Sequence, residues 1–114
     1  MARYLISFPS DAMNHIPAED LPAVGDAAGA VVQEAMDAGV WVFGGGLAED
    51  PVMVAGDGTI TTGTYPQTKD FNGGFTVIDT PSREAAVEWA AKIAAACRCA
   101  QEVRAFMPDP AVGN

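Results

Sequence analysis

Gly73-Gly74-Phe75-Thr76-Val77-Ile78-Asp79-Thr80-Pro81-Ser82-Arg83-Glu84-Ala85-Ala86-Val87-Glu88-Trp89-Ala90-Ala91-Lys92-Ile93 changes its apolar spacing partway along, and that change decides the fold. Phe75 to Ile78 is short, aromatic and β-branched, as a strand should be, and the two glycines before it relax steric limits at its entrance. Pro81-Ser82 interrupts. From about Arg83 to Ala96 the spacing of Ala86, Trp89 or Ala90, Ile93 and Cys97 is helical, while Arg83, Glu84, Glu88 and Lys92 are free to face water. The alanines of this stretch favour helix further. Gln101 to Met107 then reads as another strand, so the second half of the chain is strand, helix, strand.

The first half repeats the order. Arg3-Tyr4-Leu5-Ile6-Ser7-Phe8 is a strand stopped by Pro9-Ser10-Asp11, and the polar stretch from Asp11 to Pro17 is a loop. Leu21, Val24, Ala28, Val31 and Ala35 predict a helix that starts between Pro17 and Leu21 and runs to about Ala38. Glu19 and Asp20 favour its amino terminus, Pro22 is tolerated in its first turn, and Gly39 follows its last periodic position. Val40-Trp41-Val42-Phe43 is a second strand that Gly44-Gly45-Gly46 must end or bring close to other backbone. Between the halves, Val52-Met53-Val54 and Thr59-Ile60-Thr61-Thr62 flank Asp57-Gly58 as a small hairpin.

Two right-handed crossovers place both helices on one face of a four-stranded antiparallel sheet, which is an α+β, ferredoxin-like arrangement. The strands are apolar on both sides. Tyr4, Ile6 and Phe8 oppose Leu5, and Trp41 and Phe43 oppose Val42, so the helices cannot cover every apolar group. A homodimer packed across the open sheet face would bury the remainder. We therefore expect a single domain over residues 1–108 and a flexible tail over 109–114.

Composition narrows the function. With 114 residues, fifteen acidic and six basic side chains and a formal charge of -9, the chain has one core and no separate catalytic domain. Lys69, Lys92, Arg3, Arg83, Arg98 and Arg104 are scattered, so no basic stripe suits nucleic acid. No apolar run reaches the roughly 20 residues of a membrane span or resembles a secretion signal, which leads us to expect a cytoplasmic protein with no membrane partner. Cys97 and Cys99 lack the spacing of a zinc or redox pair and read as structural thiols. Gly44-Gly45-Gly46 lacks the spacing of a nucleotide-binding loop. The carboxylates Glu49, Asp50, Asp57, Asp70 and Asp79 form no metal motif. Neither metal nor cofactor is expected.

Gly63-Thr64-Tyr65-Pro66-Gln67-Thr68-Lys69-Asp70-Phe71-Asn72-Gly73-Gly74-Phe75, with Ile78-Asp79 and Glu88-Trp89-Ala90, resembles the YCII-related family and specifically its DGPF-containing branch. The resemblance runs from Tyr4-Leu5 through the last strand and implies a ferredoxin-like protomer in a dimeric α+β barrel. Thr68-Lys69 and Gly73-Gly74-Phe75 match the branch. Thr62-Gly63-Thr64-Tyr65 stands at the DGPF-like turn, with Thr62 in place of its aspartate and Tyr65 in place of its phenylalanine. No role is carried over from that aspartate, nor from the histidine of the wider group's histidine-aspartate site, which His15 does not match.

The candidate chemistry is consequently sparse. His15 is the one side chain whose ordinary pKa lies near neutrality, which makes it the candidate proton carrier, against the plainer reading of a solvated loop histidine. Lys69 is the candidate carboxylate binder, against a surface pair with Asp70. Tyr65 would cover the same ligand, and Thr62 and Thr68 would orient it. Arg3 and Arg104, on terminal strands that become sheet neighbours, would form an anion clamp at the dimer face. The sequence therefore points to a protein that binds a small organic acid and turns it over by cofactor-free acid-base chemistry if His15 serves. The alternative is a non-catalytic accessory or regulatory dimerisation domain.

Overall fold

The computed structural model describes residues 2–114. The first strand, β1, spans Ala2–Phe8, and three residues of 3-10 helix, Ala18–Asp20, lead into α1 over Leu21–Asp37. Strand β2 covers Trp41–Gly46, the hairpin β3–β4 covers Val52–Val54 and Ile60–Thr62, and β5 covers Gly74–Thr80. Helix α2 runs Arg83–Cys97 and β6 runs Glu102–Ala105. The main sheet has the order β2-β5-β1-β6 with every neighbouring pair antiparallel. Both helices lie on one side of it, which is the α+β layout of a ferredoxin-like fold.

Alternation along β1 and β5 sorts their side chains. Tyr4, Ile6, Ile78 and, from α2, Ala86 and Ala90 form the buried core, with Trp89, Ile93 and Val103 packed against it. Ile6 and Ile78 are each 1 % exposed, so each contributes about 1.5–3 kcal/mol through burial. Val31, Val32 and Ala35 bring α1 against Trp41, Thr76 and Ile78 on the same face. Lys92 of α2 pairs with Glu34 of α1, and Arg98 holds Asp20 at 2.9 Å. The molecule is only 19 Å thick along its shortest axis, which accommodates one helix layer on one sheet layer and nothing across the other face.

Helix α2 starts as its sequence predicts: the Ser82 hydroxyl accepts the Ala85 N–H at 3.2 Å, satisfying one orphan donor. It ends on Arg98, which adopts the left-handed conformation at φ 56°. Helix α1 starts later than its earliest predicted position because residues 18–20 form the tighter 3-10 turn. Strand β6 is shorter than predicted, although the Phe106 N–H still reaches the Arg3 carbonyl at 2.9 Å. Residues 109–114 fold back on themselves, with the Asn114 N–H donating to the Asp109 carbonyl at 2.9 Å.

The glycine run continues β2 rather than ending it. Gly44, Gly45 and Gly46 lie opposite Thr76, Phe75 and Gly74 after an irregularity between Trp41 and Phe43. A Cβ on Gly44 would come within 2.6 Å of the Phe75 carbonyl oxygen and 2.7 Å of the Trp41 ring. This is the close approach that a strand without side chains permits.

Candidate functional site

The loops that join β2 to β3 and β4 to β5 meet at one end of the sheet, where backbone contacts fix them. The Leu47 N–H donates to the Gly73 carbonyl at 3.0 Å, and the Ser10 N–H donates to Asn72 Oδ1 at 3.1 Å. Gly73 lies so near β1 that a Cβ there would fall 1.9 Å from the Phe8 carbonyl oxygen. A one-turn 3-10 helix, Pro66–Thr68, brings the Thr64 and Thr68 hydroxyls to 2.7 Å. Phe71 follows and meets the Phe75 ring edge to face, with centroids 4.4 Å apart. That geometry is favourable for an aromatic pair.

These loops surround an open cavity of about 800 Å³, with Lys69, Thr64, Thr68, Asn72 and Glu49 as polar groups and Leu47, Pro51 and Phe71 as apolar ones. Its size lies within the range of small-molecule sites. Leu47 and Phe71 also border a hollow of about 450 Å³ on the uncovered sheet face, floored by Leu5, Phe43 and Val77. Phe71 borders a third hollow of about 190 Å³, which holds Gln67, Asp70, Glu102 and Arg104. One phenyl ring thus stands between a polar cavity, an apolar hollow and a charged one. Phe71 lay within the resembling segment, yet nothing in its spacing distinguishes it from a packing residue.

The structure brings only some of the predicted residues together. Lys69 and Thr68 line the large cavity together. Tyr65 is 64 % exposed beside them, and Thr62 is exposed on the hairpin opposite Val52. Lys69 takes part in none of the ion pairs among the described residues. Its neighbour Asp70 borders the hollow around Arg104 instead, so the surface pair between them does not form. Arg3 and Arg104 share the uncovered face diagonally, Arg104 opposite Leu5 and Arg3 one step along. Each has a carboxylate: Arg3 Nε lies 3.9 Å from Asp79 Oδ2, and Arg104 Nε donates to Glu102 at 2.7 Å. His15 is exposed in the loop before α1 and borders none of these cavities.

The two thiols lie apart from this site, at the end of α2. Burial, and after it the nearby Cys99, push the Cys97 thiol up, and burial also raises Cys99 against a hydrogen bond from Gln101. Both stay protonated at neutral pH and are poor nucleophiles. Among the described residues, no group of three His, Cys, Asp or Glu side chains could hold a metal ion. No helix among them is long and apolar enough to cross a membrane.

A two-layer α+β domain with a loop cavity opening beside an uncovered sheet face is the class that fold and site define. The family model for the YCII-related domain matches residues 5–108, and the chain belongs to that family. Among solved structures, it is similar to 5-chloro-2-hydroxyhydroquinone dehydrochlorinase from Burkholderia phenoliruptrix AC1100, in complex with 2,5-dihydroxybenzoquinone. The two share 14 % identity and a TM-score of 0.48, over 96 % of this chain and 97 % of that one. No curated protein matches the chain.

Proposed function

We propose that this YCII-related protein, of the DGPF-like branch, binds a small organic acid as a homodimer. One observation carries the reading: Lys69, outside every ion pair of the described residues, stands on the wall of a ligand-sized cavity with a pair of threonine hydroxyls and a phenyl ring. The Lys69 ammonium, and the one hydroxyl proton that the Thr64–Thr68 hydrogen bond leaves over, suit a carboxylate, and the hollow beyond Phe71 suits the ligand's apolar body. The reading is one of binding, since His15, the expected proton carrier, stands outside the cavities.

The second copy covers the uncovered sheet face. Phe43 is 64 % exposed there, beside Leu5 and Val77, forming a contiguous apolar set of the kind that marks interfaces. Calorimetric titration with a panel of small monocarboxylates tests the ligand. Lys69→Ala should weaken binding about 10- to 100-fold through loss of a charge-assisted hydrogen bond, and Lys69→Arg should retain most of it. No binding by the panel, or equal affinity in Lys69→Ala, overturns the assignment. Sedimentation tests the dimer, and a monomer at all concentrations removes it.

A further inference from the structure

On the helix side of the sheet, behind the glycine strand, lies a cleft of about 300 Å³ that Lys69 does not line and that meets the hollow of the uncovered face only along Gly44, Gly45 and Phe75. It exists because both layers are small where they meet. Ala28 comes from α1, and Gly44, Gly45 and Gly74 from the sheet, so the core lacks side chains to fill the gap. Two rings lie over these glycines. A Cβ on Gly74 would meet the Phe8 ring at 2.6 Å, and one on Gly44 would meet the Trp41 ring at 2.7 Å. Val32 closes one side from α1, and Ile93 closes the other from α2.

We propose that this cleft is a second binding site, for an uncharged planar aromatic compound. Planarity follows from the rings of Phe8 and Trp41 laid against bare backbone, which offer flat apolar surfaces. Neutrality follows from the wall, which carries no charged side chain; an ion there would lose its hydration without a counter-charge. The polar groups are the Thr76 hydroxyl, the Cys97 thiol and the Gln101 amide. Gln101 Nε2 already donates to the Cys99 carbonyl at 3.3 Å, which leaves its amide oxygen to accept from a ligand hydroxyl or ring N–H. The chemistry is that of a phenol or a neutral nitrogen heterocycle, whereas the Lys69 cavity takes an anion.

The test uses 2-naphthol and its charged counterpart 2-naphthoate with methyl-labelled full-length protein. Nuclear Overhauser contacts from 2-naphthol to the methyls of Val32 and Ile93 are expected, and 2-naphthoate should give none there. Ala28→Leu extends a side chain into the cleft and should weaken 2-naphthol by at least about tenfold, with the helical circular dichroism unchanged. Contacts to Leu5 and Val77 instead would place the probe on the uncovered face and overturn the proposal. So would the absence of contacts, or unaltered affinity in a folded Ala28→Leu variant. The contacts are read on the unsubstituted protein, so the test stands even if that variant fails to fold.

Discussion

The two faces of the sheet differ in what their side chains are for. On the covered face, Tyr4, Ile6 and Ile78 meet two helices and leave almost no surface exposed. On the other, Leu5, Val77, Phe43 and Phe75 are only partly shielded, although they alternate with the first set along the same strands. Equal hydrophobicity therefore has unequal consequences: one set stabilises the protomer, and the other is available for a partner or a ligand.

The largest expected effect probes this asymmetry directly. Ile78→Ala should destabilise the protein by about 2–5 kcal/mol in urea unfolding. Val77→Ala, one residue away but on the opposite face, should cost about 1 kcal/mol in dilute protein. Equal losses would break the distinction. Next come the glycines of β2, where a methyl at position 44 points into Trp41 and one at 45 meets nothing within 4 Å. Gly44→Ala should cost about 1–3 kcal/mol by overpacking, and Gly45→Ala should fall within about 0.5 kcal/mol of the unaltered protein. A thermal melt of both checks the pair.

Smaller effects sharpen the same contrast. Ser82→Ala removes the cap of α2 on the covered side and should cost about 1 kcal/mol by chemical unfolding. Phe43→Glu should shift dilute-protein stability by no more than about 0.5 kcal/mol, yet sedimentation should show the proposed dimer dissociated. The smallest effect lies in the β3–β4 hairpin. Hydrogen bonds from the Thr59 hydroxyl and then the Thr59 N–H hold the Asp57 carboxyl below its ordinary range. Its contribution is present above the unfolded pKa and is lost as pH falls through the depressed folded value. Amide signals of Thr59 should therefore move at lower pH than those beside an unperturbed aspartate.

Much of the fold was legible because its signals are local. Ser82 marks the start of α2, Asp57-Gly58 marks the hairpin turn, and the spacing of Val24, Ala28 and Val31 marks α1. The fate of Gly44-Gly45-Gly46 was less legible, since a glycine run ends a strand unless distant residues need its bareness. Here those are the Trp41 ring and the Phe75 carbonyl. The candidate site was half legible for a similar reason. Thr68 and Lys69 are one residue apart and share a wall, whereas Phe71 gains its importance from three hollows built by separate segments. Arg3 and Arg104 share a face as expected, but Asp79 and Glu102 share it with them and engage each one.

The sheet order also dictates when the protein can form. Strand β1 occupies the interior of the sheet, where Ser7 meets Phe75 on one side and Glu102 on the other. During synthesis it emerges long before either partner, with its apolar residues already in place and no edge to join. Closing such distant pairings costs chain entropy before any contact rewards it. Assembly of the sheet must therefore wait for the second strand-helix-strand half, and a ribosome stalled before Gly74 would hold a chain in which β1 and β2 both lack the strands that pair with them.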